Sequence, residues 1–388
     1  MPRLACLALL LCSALAAAAP PIRIGVSGPF SGGSSPMGLS MRGGIRLAAE
    51  DINRSGGVLG RQIQLVERDD RGRPDYAIRV AGELIDKQQV VATVGFANSG
   101  VALASQYRYQ QASIPAITAV ATAHVVTQQF LPPRYAANYV FRVAASDALQ
   151  APLIVREALR RGFRRVAVLN DSSNYGQLGQ QDLLKALAAS GIQPVSVQQF
   201  HNGELDMSGA LREARTAGAQ CILTYTIGPE LAQIANTLAQ MEWRIPLIGS
   251  WTLSMSNFID NAGPNAEGAR MVQTFIEDGN TPLRADFIRR YLQRNPGERI
   301  PSPPSAAQGY DSLLLLAAAM QQAGSTDGPR VRAALEDLRQ PVAGLITTYR
   351  HPFSTSDHEA IKLDIPVIGE VRQRKVVYAY PQDRQRHP

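Results

Sequence analysis

Short apolar runs of β type alternate with amphipathic helical patterns along almost the whole chain, and this alternation restricts the fold more than any other feature. The run from Ile22 to Val26 is followed by a helical pattern with Ile45, Ala48, Ala49 and Ile52 on one face. Further apolar runs begin at residues 62, 90 and 114, and the first two are again followed by helical patterns. Nearly continuous apolar strands separated by helices predict a parallel sheet covered on both faces.

The same alternation restarts after Phe141-Arg142-Val143 and predicts a second sheet of the same kind. Its strands are expected at 165–169, 195–197, 221–225 and 246–249. Later helices, up to about residue 338, have no strands of their own and must pack on a lobe already made. The last strands, 365–371 and 376–380, are expected to complete a sheet edge. The predicted fold class is therefore α/β, with two doubly wound parallel-sheet lobes.

The division into lobes follows from this order of elements. Lobe 1 is predicted to comprise residues 22–144 and 275–347, and lobe 2 residues 145–274 and 348–388. The chain would then cross between the lobes near residues 144, 275 and 348. Several crossings form a multi-strand hinge, and a hinge between two sheets implies a cleft that can close.

The first nineteen residues predict export. Arg3 precedes an apolar run from Leu4 to Leu15, and small residues follow as cleavage sites. This is the layout of a cleaved signal peptide, here residues 1–19, and the run is too short for the ~20 residues of a membrane span. Cys12 offers a lipoprotein alternative, but Leu11 stands where a lipobox normally has a small residue. The predicted location is the periplasm.

Charge and cysteines exclude several classes of protein. The formal net charge is +7, but the basic residues are scattered and are not interleaved with aromatic residues, so we expect no nucleic-acid partner. After removal of the signal, Cys221 stands alone within an apolar run and is predicted to be a buried small hydrophobe. We predict a monomer.

Loops that follow strands in the first half carry candidate ligand contacts. In open α/β sheets, ligands lie beyond the carboxyl ends of the strands, where loops lead into helices. Asn98 and Ser99 open a helix there, and free N–H groups with a hydroxyl suit a carboxylate. The alternative for Ser99 is an ordinary N-cap. Val120 and Thr122 follow the next strand, and the alternative for Thr122 is a cap for residues 125–129.

The second half supplies the opposite wall by the same rule. Tyr175 is predicted to project from a loop after the strand at 165–169, with Asp171 as a cap. Tyr225 and Ile227 follow the next strand, and Trp251 follows the strand at 246–249. A tryptophan in a loop is either an apolar plug or a wall for a ligand.

No motif predicts catalysis. The glycine pairs at 32–33 and 56–57 match neither GxGxxG nor GxxxxGK[ST], and there is no GxSxG elbow. Asp69-Asp70 is better explained as a turn with solvated acids. We therefore predict a protein that is not an enzyme, with no cofactor, no metal and no catalytic residues.

Several segments resemble periplasmic ligand-binding proteins of the leucine/isoleucine/valine-binding type. They are the stretch from Ile24 to Gly32, the stretch from Ile52 to Arg61, Asp69-Asp70, Asn174-Tyr175-Gly176 and Gln308-Gly309-Tyr310-Asp311. The resemblance implies a type I periplasmic binding fold with three crossings between the lobes. It also implies delivery of the ligand to an ABC permease in the inner membrane.

By position, the resemblance implies that Ser99, Val120 and Thr122 meet the ligand carboxylate, and that Tyr175 closes over it. Residues 225–227 and the loop at Trp251 would complete the second wall. The chain differs where amino-acid binders place an acid for the ligand ammonium, because it has Gly249-Ser250-Trp251 there. A buried, unpaired ammonium is costly.

The difference favours an organic or aromatic acid over a branched-chain or hydrophobic amino acid. Asp171, Glu204 or Asp311 could still supply a charge from elsewhere. The predicted function is an extracytoplasmic solute-binding protein that closes on a small carboxylate. The alternatives are a ligand-sensing module of a signalling system and, less favoured, an exported α/β enzyme.

Overall fold

Five parallel strands form the first sheet of the computed structural model, which describes residues 19–386. The predicted signal peptide therefore lies, except for its last residue, outside the described residues. The strand order is β2-β1-β3-β4-β5, and every neighbouring pair is parallel. The elements are β1 (Ile22–Gly28), α1 (Ser35–Arg54), β2 (Ile63–Asp69), α2 (Pro74–Gly82), a π-helical turn (Glu83–Lys87), β3 (Ala92–Gly95), α3 (Ser99–Gln111), β4 (Ala116–Thr118), α4 (Val125–Gln128) and β5 (Val140–Arg142).

The second sheet has seven strands in the order β14-β13-β10-β9-β8-β6-β7. Strands β6 to β10 are paired in parallel, whereas β13 and β14 add an antiparallel edge. The elements are α5 (Asp147–Arg160), β6 (Val166–Asp171), α6 (Asn174–Ala189), β7 (Ser196–Phe200), α7 (Ser208–Thr216), β8 (Cys221–Tyr225), α8 (Gly228–Gln240), β9 (Leu247–Gly249), 3₁₀ turns at Trp251–Ser254 and Gly263–Ala266, α9 (Ser256–Ala262), β10 (Arg270–Gln273), β13 (Val367–Arg372), β14 (Lys375–Tyr378) and a 3₁₀ turn at Pro381–Arg386.

The remaining helices return to the first sheet, as the lack of accompanying strands predicts. They are α10 (Pro282–Arg294), α11 (Pro303–Ala323) and α12 (Gly328–Glu336), followed by the short antiparallel pair β11 (Val342–Ala343) and β12 (Thr348–Tyr349). Helix α11 lies along α1, and apolar residues of both helices share one core with β1. Burial of these apolar side chains is the main source of stability for both helices.

The last passage between the sheets lies late in the chain. Tyr349, Phe353 and Ile361 are buried in the core of the first sheet, and the chain joins the second sheet only at β13. The lobe bounds at 144, 275 and 348 remain predictions. The predicted fold class, two α/β lobes with mainly parallel sheets, is confirmed.

Two predicted elements differ from the structure close to the cleft. The apolar run 114–120 contains only a three-residue strand, β4, and the rest of the run is a buried loop. Tyr175, predicted in a loop, lies in the first turn of α6 because Ser173 caps that helix by accepting a hydrogen bond from the Gly176 N–H at 3.2 Å. Cys221 is fully buried, as expected. No helix within residues 19–386 combines the length and apolar character of a membrane span.

Candidate functional site

A cavity of about 280 Å³ lies between the two lobes, at the carboxyl ends of strands from both sheets. Small-ligand pockets usually measure about 300–1,000 Å³, so this cavity suits a short-chain or single-ring molecule. The structure places seven of the eight predicted site residues around it. They are Asn98, Ser99, Val120, Thr122, Tyr175, Ile227 and Trp251.

The start of α3 forms one part of the first-lobe wall. Asn98 occupies the N-cap position but does not cap the helix, since its Nδ2 donates to Ser34 Oγ at 3.0 Å. The Ser99 Oγ accepts a hydrogen bond from the Ala123 N–H at 3.3 Å, which leaves the hydroxyl hydrogen available for a ligand. The N–H groups of the first helical turn have no intrahelical partner, so this end of α3 can bind an acceptor.

The loop after β4 forms the second part of that wall. Its path is held by backbone hydrogen bonds from Ala119 N to Gly95 O and from Ala121 N to Phe96 O, both at 2.8 Å. Val120 and Thr122 line the cavity from this loop, and the buried Thr122 hydroxyl interacts with the Asp147 carboxyl group.

Tyr175 and Trp251 dominate the second-lobe wall. The Tyr175 hydroxyl is hydrogen-bonded to Ser250 Oγ at 2.5 Å, and Ser250 Oγ is bonded in turn to Thr252 Oγ1 at 2.9 Å. Burial raises the pKa of Tyr175 well above its usual value, so the phenol stays neutral and able to donate. Ile227, the N-cap residue of α8, adds an apolar contact surface.

Tyr225, predicted in the second wall, is not among the residues that line the cavity. It is the last residue of β8 and is fully buried beneath Tyr175, with the two ring centroids 5.6 Å apart and the planes at 65°. Its ring packs against Gly179 of α6, where there is no side chain. Tyr225 therefore supports the Tyr175 ring.

The lobes contact each other on either side of the cavity. Leu178 of α6 packs against the core of the first lobe, and His124 Nδ1 lies 2.8 Å from Asp182 Oδ2. The Asn174 side chain lies over Gly100 at the start of α3. These contacts place α6 against the first lobe, so the arrangement is a closed one.

Sequence reasoning missed several residues of the cavity. Asn174 and Thr252 line it from the second lobe, and Met37 and Ser34 from the start of α1. The strand-end rule could have found Asn174 and Thr252, since both follow strands within a few residues. Met37 carries no such signal, because its helical spacing is that of an ordinary core residue. Of the acids considered as charge sources, Asp311 binds the Leu345 and Ile346 N–H groups and the Tyr349 hydroxyl, outside the cavity lining.

The electrostatic character of the cavity comes from the backbone. Helices α1, α2, α3, α6 and α8 all begin at its wall, at Ser34, Pro74, Asn98, Ser173 and Ile227 respectively. The positive ends of the helix dipoles favour an anion. Asp171 is the one charged side chain among the lining residues, and its Oδ1 accepts hydrogen bonds from the Ser173 N–H and hydroxyl.

A second acid, Asp147, lies at the crossing between β5 and α5 and was not predicted. Its N–H donates to the Thr122 carbonyl at 2.8 Å, and its fully buried carboxyl group interacts with the Thr122 hydroxyl. Burial raises the pKa of Asp147 to about 8. At neutral pH the carboxyl group is therefore mostly protonated and brings little negative charge to the cavity.

Asp147 should make the protein less stable as the pH rises from about 4 to about 8. In the unfolded chain this carboxyl ionises near its usual pKa of 3.8, whereas the folded protein keeps the proton up to about pH 8. The folded state binds more protons in that window, so the free energy of unfolding falls by up to about 1.4 kcal/mol per pH unit. Asp147→Asn cannot ionise and should flatten the fall, measured by urea unfolding between pH 6 and 8.

The exposed Asp75 gives a matched control for this measurement. Its pKa is lowered by the hydrogen bond from Arg73, so it is ionised in both states above pH 6. Asp75→Asn should leave the slope between pH 6 and 8 unchanged. An unchanged slope in Asp147→Asn as well would show that the buried carboxyl does not hold its proton.

Comparison with known proteins agrees with this architecture. Residues 21–363 match the family described as periplasmic binding protein. The chain is 26% identical over 321 residues to the leucine-, isoleucine-, valine-, threonine- and alanine-binding protein of Pseudomonas aeruginosa, covering 82% of this chain and 83% of the relative.

Solved structures share the fold. The type 1 periplasmic binding protein of Bordetella pertussis superimposes with a TM-score of 0.82 at 26% identity, covering 92% of this chain and 99% of that one. An ABC-transporter solute-binding protein of R. palustris, solved with benzoate, gives a TM-score of 0.78 at 21% identity, covering 92% and 95%. With its two lobes and the cleft between them, the chain belongs to the periplasmic binding protein family, in agreement with the resemblance found in its motifs.

Proposed function

We propose that the protein is the periplasmic solute-binding component of an ABC importer and that it closes on a small carboxylate. The convergence of five helix N-termini on a cavity without Lys, Arg or His carries the proposal. A carboxylate placed there would accept hydrogen bonds from the start of α3 and from the Ser99 hydroxyl. The protein has no catalytic role in this proposal.

Closure follows from the distribution of the contacts. The ligand would touch Ser99 and Thr122 on the first lobe and Tyr175 and Trp251 on the second, so it contacts both walls only in the closed arrangement. A ligand shifts an equilibrium by its difference in affinity for the two states. The closed form, with α6 against the first lobe, would be the form that a membrane permease recognises.

The chemistry of the walls narrows the ligand class. The P. aeruginosa relative is named for the amino acids it binds, and the R. palustris protein of the same fold was solved with benzoate. In this chain Asp171 is the one carboxylate among the lining residues, and it already accepts a hydrogen bond from the Ser173 N–H. We therefore propose an organic or aromatic acid first, and a hydrophobic amino acid second.

The Ser99→Ala variant tests the carboxylate site. Loss of one hydroxyl contact to a buried charged group should weaken binding by about 1–3 kcal/mol, which is about 5- to 150-fold. The measurement is calorimetric titration with the acids that stabilise the wild-type protein in a thermal-shift scan of leucine, 4-methylpentanoate, benzoate and 4-hydroxybenzoate.

Ser105→Ala is the matched control. Ser105 lies in the same helix and is buried, but its hydroxyl donates to the Val101 carbonyl at 2.7 Å and does not line the cavity. This variant should bind normally. Equal affinity of Ser99→Ala and wild type would place the carboxylate elsewhere. Uptake of the same acid by cells that lack the gene, restored by the wild-type gene and not by Ser99→Ala, tests the role in import.

A further inference from the structure

Trp251 is held firmly between the two lobes. It begins the 3₁₀ turn after β9, and its N–H donates to Gln150 Oε1 at 3.2 Å. Its carbonyl accepts hydrogen bonds from Ser254 Oγ at 2.7 Å and from Gln273 Nε2 at 3.3 Å. The ring belongs to a turn of the second lobe but packs in the apolar core of the first, and only 6% of the residue is exposed.

The indole N–H of Trp251 is a buried donor without an acceptor among the described residues. The ring nevertheless lines the cavity. An indole nitrogen can donate and cannot accept. Nearly all buried tryptophan N–H groups have a partner, so this one is suited to an acceptor that arrives with the ligand.

This donor and the proposed carboxylate site are carried by elements of different lobes. Ser99 and the start of α3 belong to the first lobe, whereas Trp251 and its turn follow a strand of the second sheet. A small carboxylate held between the lobes would therefore meet donors from both of them, and an oxygen on the carbon next to the carboxylate could reach the second. An ammonium group beside Trp251 would face another donor and remain unpaired, which is costly in a buried site.

We propose that Trp251 Nε1 donates a hydrogen bond to a second oxygen of the ligand, so that the protein selects carboxylates bearing an oxo or hydroxyl group. This inference rests on the proposed function and names the ligand class of the same cavity. Amino acids with the same carbon skeleton bind more weakly, because their ammonium cannot accept that bond.

Ligands that differ in one group test the donor. In the wild-type protein, 4-methyl-2-oxopentanoate should bind about tenfold more tightly than 4-methylpentanoate or leucine. Trp251→Phe keeps an aromatic ring and lacks the N–H, so the advantage of the oxo acid over the plain acid should fall to about twofold or less. The smaller ring also lowers affinity for the plain acid, so the readout is the ratio of the two affinities.

The indole N–H signals of the wild-type protein give a second test that does not depend on a change at Trp251. The chain has two tryptophans, so an amide correlation spectrum shows two indole N–H signals, which Trp243→Phe assigns. The Trp251 signal should move downfield with the oxo acid and much less with the plain acid.

The outcomes separate the two proposals. If the carboxylates bind and Ser99→Ala weakens them, but Trp251→Phe keeps the preference and the indole signal does not move, the donor role is wrong and the carboxylate site stands. Tighter binding of leucine than of its oxo acid also overturns the inference. If no carboxylate binds the wild-type protein, both proposals fail.

Discussion

Gly44→Ala is expected to destabilise the protein by more than about 3 kcal/mol, in the range of severe overpacking. A Cβ on Gly44 of α1 would lie 1.9 Å from the Ala306 carbonyl oxygen and 3.1 Å from the Tyr310 nitrogen, both in the backbone of α11. Backbone atoms in a helix cannot move aside as the end of a long side chain can. The helices would have to separate, and urea unfolding should show the loss directly.

Gly209→Ala is the matched control for this substitution. Gly209 lies in helix α7, and a Cβ there meets nothing within 4 Å. Alanine is favoured over glycine in a helix by about 0.5–1 kcal/mol, so this variant should be unchanged or slightly more stable. A Gly44→Ala protein as stable as wild type would show that α1 and α11 can separate at little cost.

Arg142→Met is the second substitution with a large expected effect, a loss of about 3–5 kcal/mol. Arg142 is fully buried at the end of β5. Its Nε and Nη2 bind the two carboxylate oxygens of Glu359 at 2.7 and 2.5 Å, and its Nη1 donates to the Ala123 carbonyl at 2.7 Å. Removing the guanidinium leaves a partly buried carboxylate and a loop carbonyl without their donor.

A double variant separates these contributions. In Arg142→Met/Glu359→Gln no unpaired charge remains, so part of the lost stability should return. Arg79→Met breaks the exposed pair with Asp75, where both side chains are more than half exposed, and should cost under about 1 kcal/mol. Equal losses in Arg79→Met and Arg142→Met would mean that the buried pair has no special role.

The alternation of strands and helices was predictable because the central strands, such as β3, β6 and β8, are buried on both faces and most helices on one. That local pattern gave the two sheets, and the strand-end rule then gave Ser99, Thr122 and Trp251. Tyr225 shows where the rule ends. It stands at a strand end as well, but whether a side chain there faces the cavity or the helix layer depends on the register of the sheet, which places Tyr225 opposite Asn170 and under α6.

Contacts between distant parts of the chain could not be predicted in this way. Arg142 and Glu359 are 217 residues apart, and neither has a local pattern that indicates the other. The Asp147 carboxyl lies behind the cavity only because the crossing after β5 folds back onto the loop at Thr122. The short length of strand β4 could not be predicted either, because a buried loop and a buried strand have the same apolar composition.

The meeting of helix N-termini around the cavity has a consequence for how such a protein can change its cargo. The positive potential belongs to backbone amides, which every sequence of this fold carries, and no side chain has to be retained for it. On the proposed function, side chains such as Trp251, Tyr175 and Met37 can then be exchanged one at a time while the helix N-termini stay in place. The backbone of the fold would thus provide the preference for an anion, and single substitutions of cavity side chains would change which anion is bound.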